Sequence, residues 1–239
     1  MSSSGTSRRG SGAAVKSAGG KSAGGKSVVH KPTRVAVFDY GAGNLHSLVK
    51  ALSSPGFDVC IEPDPMAAIA ADVLVLPGVG AFAPAADAIG DARKPMRAAI
   101  AGGLPTLGIC LGMQLLFDES EEGGGRGLGV IPGHVTRLDA KRLPQIGWNS
   151  VEAEDDPLFA AAPLDEAYFA NSFVCRPASA DVIVAWSEHE GDRYAAAVRA
   201  GNAVGVQFHP EKSSAAGVRL VRTFLTQARQ AAGRAGRER

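Results

Sequence analysis

The sequence predicts an α/β fold with a mainly parallel sheet, flanking helices and a smaller antiparallel portion. Four short apolar or β-branched runs in the first half alternate with helix-like segments, which is typical of parallel βαβ units. The run at 72–76 is apolar almost throughout, as expected of a strand that is buried on both faces. Beyond residue 127 short β-like pieces replace this alternation and favour antiparallel pairing.

The first half predicts four strands and the helices between them. After the first strand, Leu45, Leu48, Val49 and Leu52 fall at helical spacing, with Asn44 as a candidate N-cap. Cys60 lies in the second strand and is expected to be a core residue. The predicted strands are 34–40, 58–61, 72–76 and 105–109, and the predicted helices are 45–52, a short one from about 65, and one around 84–100.

The second half predicts shorter strands and one long helix. A hairpin is expected where 194–199 and 203–208 flank the turn at Asn202. The last helix is expected from about Ser214 to Gln230, with apolar side chains at helical spacing. The other predicted strands are 128–131, 135–138, 146–151, 167–174 and 182–186.

One folded domain between two tails is expected. A chain of 239 residues is long enough for one large α/β domain. Residues 1–32 are rich in Ser, Gly, Ala and Lys, so they have too few apolar side chains to offset the entropy of ordering and are expected to be disordered. The folded domain is expected over 33–230, with a flexible basic tail over 231–239.

Composition argues against several functional classes. The net charge of +1 hides a tail with six basic residues and no acidic ones, so the rest of the chain carries 19 basic and 24 acidic residues and does not suit nucleic acid. No apolar run approaches the roughly 20 residues of a membrane span. Three separated cysteines suit a reducing compartment, and the scattered histidines with no Cys-x-x-Cys pair predict no metal site.

Cys110 lies in the pattern Gly108-Ile-Cys-Leu-Gly112, between an apolar run and a predicted amphipathic helix that continues to Phe117. The two glycines permit the sharp strand-to-helix turn of a nucleophile elbow, with cysteine in place of serine. The N-terminus of a helix favours a thiolate. The alternative is an ordinary buried cysteine at the end of a strand.

Two other strand ends carry groups that suit a cysteine nucleophile. His209 follows the hairpin and can act as a general base, with Glu211 to orient its ring; the alternative is a solvent-facing histidine. Pro77-Gly-Val-Gly80 ends the 72–76 strand, and the backbone N–H groups of Gly78, Val79 and Gly80 can form an oxyanion hole with that of Leu111. The alternative there is a simple βα turn. Together, the three strand ends indicate acyl transfer through a thioester.

Two segments, 108–114 and 207–211, resemble the signatures of class I glutamine amidotransferases, whose catalytic triad is Cys-His-Glu. Within that family the chain is most similar to the glutaminase subunits of imidazole glycerol phosphate synthases, over about residues 34–229. The segments that carry this narrower resemblance are 39–44, 77–82, 147–149 and 208–213.

The resemblance implies a three-layer flavodoxin-like α/β domain without a cofactor, in a heterodimer with a (βα)8-barrel cyclase. L-Glutamine is hydrolysed at Cys110, and ammonia passes to the cyclase, which makes imidazole glycerol phosphate and the aminoimidazole carboxamide ribotide AICAR in histidine biosynthesis. Neither a nucleic-acid nor a membrane partner is implied. A stand-alone glutaminase chain, as opposed to the fused eukaryotic form, implies a cytoplasmic location.

The resemblance also assigns roles to single residues. Gln114 and Glu122 are expected to contact substrate glutamine, Glu122 through the α-ammonium group, and Ser172 to border the same pocket. Trp148 and Lys212 are expected at the cyclase interface.

The chain departs from the family pattern at Gln145, where histidine is usual, and at Asn171 and Phe173, in a segment that usually reads His-Ser-Tyr. These departures concern contacts to substrate or cyclase and leave the triad intact. Alternative functions are the glutaminase subunit of another class I amidotransferase, such as pyridoxal phosphate synthase, a cysteine peptidase or DJ-1-like protein, and a non-catalytic interaction subunit of the same fold.

Overall fold

The computed structural model of the chain describes residues 31–41, 45–78 and 80–235. Most of the expected disordered tail at 1–32 lies outside the described residues. The candidate N-cap Asn44, the oxyanion candidate Val79 and the last four residues of the chain also lie outside them.

Short strands alternate with helices through the first half of the chain. The strands of the described residues are, in chain order, β1 (Thr33–Phe38), β2 (Phe57–Glu62), β3 (Val73–Leu76), β4 (Thr106–Ile109), β5 (Glu119–Ser120), β6 (Gly133–Arg137), β7 (Gln145–Ser150), β8 (Glu152–Ala153), β9 (Glu166–Asn171), β10 (Phe173–Pro177), β11 (Ile183–His189), β12 (Asp192–Ala200) and β13 (Ala203–Val206). The α-helices are α1 (His46–Leu52), α2 (Pro65–Ile69), α3 (Phe82–Ile89), α4 (Arg93–Ala101), α5 (Leu111–Gln114), α6 (Pro157–Ala161) and α7 (Ser214–Ala235).

The main sheet has eight strands in the order β2-β1-β3-β4-β13-β12-β11-β8. The pairs from β2 to β13 are parallel, and those from β13 to β8 are antiparallel. Two smaller sheets, β10-β6-β5 and β7-β9, lie outside it. The prediction of a mainly parallel sheet with an antiparallel portion is confirmed.

Helices cover both faces of the parallel strands. Alternate residues of β1 point to opposite faces, so Val35 and Val37 belong to one apolar cluster and Ala36 and Phe38 to another. The first cluster includes buried residues of α1 and α7, and the second includes those of α2, α3 and α4. This arrangement gives the expected three layers.

Register brings three strand ends to one level. Leu76 at the end of β3 pairs with Gly108 of β4, and Val206 at the end of β13 pairs with Ile109. Residues that follow these strands therefore emerge side by side at the carboxyl edge of the sheet, where ligands bind in open α/β folds.

The helix after Cys110 is shorter than predicted. It ends at Gln114, and residues 115–117 are fully buried, so this segment has no amphipathic pattern to support a helix. The carbonyl groups of 115–117 instead accept hydrogen bonds from the N–H groups of 128–131, for example Leu128 N to Leu115 O at 2.7 Å. The strand predicted at 128–131 is wrong, because the N–H groups of this segment donate to the carbonyl groups of 115–117 and not to a neighbouring strand.

Other element boundaries also differ from the prediction. The helix expected around 84–100 is two helices, separated at Gly90, whose φ of 49° lies in the left-handed region. The strand expected at 167–174 is divided at Ser172 into β9 and β10, and α7 continues to Ala235 instead of ending near Gln230. Cys60 is half-buried, because β2 is an edge strand of the sheet.

Candidate active site

The backbone at Cys110 makes a sharp turn between β4 and α5. Its φ of 47° and ψ of −104° are uncommon for a residue with a side chain, which is the strained conformation of a nucleophile elbow. A Cβ atom on Gly108 would come within 2.5 Å of the carbonyl oxygen of Gly112, and one on Gly112 would overlap the carbonyl oxygen of Leu76. Both glycines are therefore required by close backbone packing around the turn.

His209 and Glu211 lie next to Cys110 in the adjoining strand end. The N–H of Cys110 donates to Val206 O at 2.7 Å, which ties the elbow to β13. A 3₁₀ turn over Pro210–Lys212 folds Glu211 back, so that its Oε1 lies 2.9 Å from Nδ1 of His209. Because Nδ1 of His209 faces Glu211, the other ring nitrogen, Nε2, is available to contact the sulfur of Cys110. The side chains of His209 and Glu211 are 3% and 9% exposed.

The environment of His209 favours the imidazolium form. Burial lowers its pKa, but interactions with the Cys110 sulfur and with the Glu211 carboxylate outweigh burial and raise the pKa to about 9. A histidine with this pKa is protonated at neutral pH, so it can form an ion pair with a thiolate and later donate a proton.

Gln207 is a further polar neighbour of the nucleophile. Its side chain is fully buried, and its Nε2 donates to Sγ of Cys110 at 3.4 Å. Gln207 lies in the 207–211 segment of the sequence, and no role was predicted for it. The available signal was its position two residues before His209, since alternate residues of an extended segment point to the same side.

The turn after β3 lies against the nucleophile. A Cβ atom on Gly78 would lie 3.0 Å from Cβ of Cys110 and 2.8 Å from Ile109 O, so glycine is needed for this approach. The buried hydroxyl of Tyr40 donates to the carbonyl oxygen of Pro77. Gly80 has a φ of 124°. Leu111 is the first residue of α5, so its N–H has no partner within that helix.

A cavity of about 350 Å³ opens beside the Cys110 sulfur. This volume is at the lower end of the range for small-molecule sites and suits an amino acid. Its lining residues are Gly78, Gly80, Cys110, Leu111, Gln114, Glu122, Pro144, Ala170, Asn171, Ser172, Phe173, His209 and Lys212. The structure therefore brings the predicted pocket residues Gln114, Glu122 and Ser172 together with the nucleophile.

Two of these residues also have partners within the protein. Nε2 of Gln114 donates to the Phe173 carbonyl at 3.2 Å, and Oε2 of Glu122 accepts from the Phe82 N–H at 3.1 Å. The carboxylate of Glu122 thus holds the start of α3 and faces the cavity at once. No group of three or more metal-ligating side chains occurs among the residues with described coordinates.

The three departures from the family pattern lie in different surroundings. Gln145 is buried, and its Oε1 accepts from the Tyr194 hydroxyl at 2.7 Å, so it has a structural partner away from the cavity. Asn171 and Phe173 line the cavity, and Nδ2 of Asn171 donates to the Phe173 carbonyl at 3.1 Å. These two residues shape the pocket wall.

A thiol, a buried histidine–carboxylate pair and free backbone N–H groups around one cavity can perform nucleophilic attack on an acyl group. A family model described as "Glutamine amidotransferase class-I" matches residues 36–228, most of the described chain. The chain belongs to the class-I glutamine amidotransferase family.

Two curated relatives of this amidotransferase chain carry the same name. "Imidazole glycerol phosphate synthase subunit HisH" of Symbiobacterium thermophilum is 47% identical over 79% of this chain and 91% of its own length. The protein of the same name from Corynebacterium diphtheriae is 42% identical over 80% of this chain and 98% of its own length.

Solved structures share the amidotransferase fold at low sequence identity. PurLQS from Thermotoga maritima matches with a TM-score of 0.66 and 20% identity, over 83% of this chain and 99% of that chain. The glutaminase domain of Trypanosoma brucei CTPS, with bound acivicin, matches with a TM-score of 0.62 and 17% identity, over 83% and 94%. These likenesses show the fold of the chain.

The amidotransferase chain also exposes large apolar side chains on the β7–β9 sheet. Ile146 is 66% exposed and Trp148 is 54% exposed. Trp148 is paired with Tyr168 across the two strands, and Nζ of Lys212 lies 5.7 Å from the centre of the Tyr168 ring. Because Lys212 also lines the cavity, the predicted interface residues Trp148 and Lys212 border one surface next to the site. No helix of the described part of the chain has the length and apolar character to cross a membrane.

Proposed function

We propose that this chain is the glutaminase subunit of an imidazole glycerol phosphate synthase. It hydrolyses L-glutamine at Cys110 and supplies ammonia to a (βα)8-barrel cyclase, which makes imidazole glycerol phosphate and AICAR in histidine biosynthesis. The observation that carries the proposal is the buried Cys110, His209 and Glu211 group beside an amino-acid-sized cavity. The HisH relatives at 41–47% identity support the choice of synthase.

The first half of the reaction forms a thioester. His209 holds the proton of Cys110, and the sulfur attacks the carboxamide carbon of glutamine. The oxygen of the tetrahedral intermediate is stabilised by N–H groups of Leu111 and of the turn at 78–80, a kind of contact that is worth about 3–4 kcal/mol per donor. The carbon–nitrogen bond then breaks, and His209 gives its proton to the departing ammonia.

The second half releases glutamate. His209, now neutral, accepts a proton from water, and the hydroxide formed attacks the thioester carbon. The carbon–sulfur bond breaks, the sulfur leaves as a thiolate, and His209 retains the proton for the next cycle. Glu211 keeps the ring in one orientation and stabilises its positive charge throughout.

The cavity supplies contacts for the rest of the substrate. The carboxylate of Glu122 binds the α-ammonium group of glutamine, since it is the acidic side chain at the wall of the cavity. Gln114 and Ser172 also line the cavity and border the bound substrate. The oxyanion role of Val79 belongs to the same proposal and concerns a residue outside the described ranges.

The cyclase binds at the exposed apolar surface around Trp148. Its neighbours Ile146 and Tyr168 add apolar area, and Lys212 adds a positive charge for an acidic partner residue. Residues 33–230 form the amidotransferase domain in this proposal. A cytoplasmic location agrees with the free thiols of Cys60, Cys110 and Cys175, which suit a reducing compartment.

The direct test compares glutamine with ammonium salt as the nitrogen source. Wild type and Cys110→Ala are each purified with the cognate cyclase, and the synthesis of imidazole glycerol phosphate is measured. The variant is expected to lose glutamine-dependent synthesis and to keep ammonia-dependent synthesis, because only the nucleophile is missing. Glutamine-dependent synthesis by Cys110→Ala would refute the assignment of the nucleophile. An inactive wild-type complex with either source would refute the choice of synthase.

A further inference from the structure

Gln207 occupies a position that burial alone does not explain. It lies between the end of β13 and His209, its backbone N–H donates to Ala196 O at 2.8 Å, and its side chain has no exposed surface. Most fully buried positions in this part of the sheet hold apolar residues, such as Val206 and Phe208 on either side of it. A buried amide in their place requires polar partners.

The amide of Gln207 is half-satisfied, and its partner is the reactive sulfur. Nε2 donates to Sγ of Cys110 at 3.4 Å, whereas no group of the described residues donates to Oε1. A buried acceptor without a partner is costly, so the amide is not explained by its contribution to folding. Its Nε2 points at the one atom of the site that acquires negative charge between turnovers.

The other titratable groups that the structure describes around the sulfur have different roles. His209 supplies the positive charge and exchanges its proton with the sulfur. Tyr40 approaches from the end of β1, but its hydroxyl donates to the Pro77 carbonyl. Cys175 approaches from β10 as a fully buried thiol, and burial raises its pKa well above the ordinary value. Glu211 is paired with His209.

We propose that Gln207 is a further catalytic residue, whose side-chain N–H donates a hydrogen bond to the Cys110 thiolate. The bond stabilises the thiolate while the site waits for glutamine and holds the sulfur toward His209. Gln207 and His209 therefore act on the sulfur together, from alternate positions of one extended segment. The role rests on the proposed function for its purpose, but the state of the thiol can be measured without glutamine.

The test measures the rate at which Cys110 is alkylated by iodoacetamide as a function of pH. Wild type and Gln207→Met are compared in a Cys60→Ala background, and the labelled Cys110 peptide is quantified by mass spectrometry. Methionine keeps the length of the side chain and removes the donor. Hydrogen bonds to charged groups are stronger than those between neutral groups. In Gln207→Met, the midpoint of the pH profile of Cys110 alkylation is therefore expected to rise by about one pH unit or more. In the complex, kcat for glutamine is expected to fall roughly tenfold, with KM nearly unchanged.

Thr106→Val is the matched control. Thr106 is fully buried on β4, and its hydroxyl donates to the Leu104 carbonyl at 3.0 Å, away from the nucleophile. This variant removes a buried polar group without touching the sulfur, so its alkylation midpoint is expected to equal that of wild type. If folded Gln207→Met has the same alkylation midpoint as wild type, the proposal is overturned.

A second measurement needs no substitution at position 207. The side-chain amide protons of Gln207 are followed by NMR through a pH titration, in wild type and in Cys110→Ser. The chemical shifts of these amide protons are expected to follow the ionisation of Cys110 in wild type, and to show no such change in Cys110→Ser. If the chemical shifts in wild type do not change as Cys110 ionises, the role of Gln207 is overturned, whether or not Gln207→Met folds. Neither the alkylation measurement nor the NMR titration depends on glutamine turnover. A negative result in either is therefore distinct from a failure of the proposed function.

Discussion

His209 is subject to opposing influences, because it is buried and yet carries a raised pKa. Burial favours the neutral ring, and the Cys110 sulfur and Glu211 together favour the charged ring. The balance leaves the ring as an imidazolium beside the Cys110 sulfur at neutral pH, with its pKa at about 9. In the proposed reaction this proton is the one that departing ammonia receives.

The pH profile of glutamine hydrolysis tests this description of His209. We expect kcat to fall as the pH rises through about 9, because the neutral ring cannot protonate ammonia. Glu211→Gln removes one of the influences that raise the pKa, so the falling limb is expected at lower pH. Ammonia-dependent synthesis by the same complexes serves as the control, and its profile should be the same for both. An unmoved limb in Glu211→Gln would contradict the role of Glu211.

The same pKa has a consequence for folding. The folded-state value of about 9 lies above the unfolded value of about 6.5. The contribution of His209 to stability is therefore fully present below pH 6.5 and is lost as the pH rises through 9.

Single site residues differed in how far the sequence could predict them. Cys110, His209 and Glu211 each lie in a short local pattern, so their positions at strand ends were predictable, and the structure places them together. The side chains of Gln207 and Tyr40 contact residues that are far away in the sequence. Because Tyr40 and Pro77 are 37 residues apart in the sequence, no local pattern indicated their contact.

At the scale of elements, the elbow between β4 and α5 depends on the absence of side chains. Gly108 and Gly112 pack their backbones against each other, and Gly112 also packs against the end of β3. This contact sets the distance between the nucleophile and the oxyanion turn. The four-residue α5 has little dipole of its own, so the adjacent N–H groups matter more than the helix does.

Gly112→Ala tests the elbow. The added methyl group overlaps the Leu76 carbonyl oxygen, so the free energy of unfolding is expected to fall by about 1–3 kcal/mol, together with glutaminase activity. Gly233→Ala is the matched control: it lies exposed in α7 with no atom near its Cβ position, and should gain about 0.5–1 kcal/mol. Denaturant unfolding measures the free energy of unfolding of both variants. Equal stability of Gly112→Ala and wild type would contradict the packing described.

Element boundaries were harder to predict than element types. The order of strands and helices in the first half followed from periodicity, since each segment buries its own apolar face. The end of α5 was not predictable, because residues 115–117 hydrogen-bond to 128–131, a partner segment that periodicity does not reveal. Gly90 ended a helix that its neighbours favoured, and its positive φ explains the break.

At the scale of the whole molecule, one edge of the sheet and one exposed surface lie side by side. The strand order places the ends of β3, β4 and β13 together, and the β7–β9 sheet presents Trp148 and Ile146 to solvent nearby. Exposed apolar patches of this kind mark interaction surfaces. Ile146 lies two residues before Trp148 on β7, so both side chains point to the same face. Ile146 was not predicted at this surface, whereas Trp148 was.

Trp148→Ala tests this surface. If the cyclase binds there, loss of a large aromatic side chain is expected to raise the Kd of the complex roughly thirtyfold, or about 2 kcal/mol. Met66→Ala is the control, because Met66 is 49% exposed on α2. Titration calorimetry with the cyclase measures both. An unchanged Kd for Trp148→Ala would contradict the proposed docking surface.

In the proposed reaction, glutamine is hydrolysed through a covalent thioester on Cys110. The complex with the cyclase is mixed with glutamine, quenched in acid within one turnover, digested, and analysed by mass spectrometry. The peptide with Cys110 is expected to gain the mass of one γ-glutamyl group in wild type, and no peptide of Cys110→Ala is expected to gain it. A turning-over complex whose Cys110 stays unmodified, or a γ-glutamyl group on another residue, would contradict it.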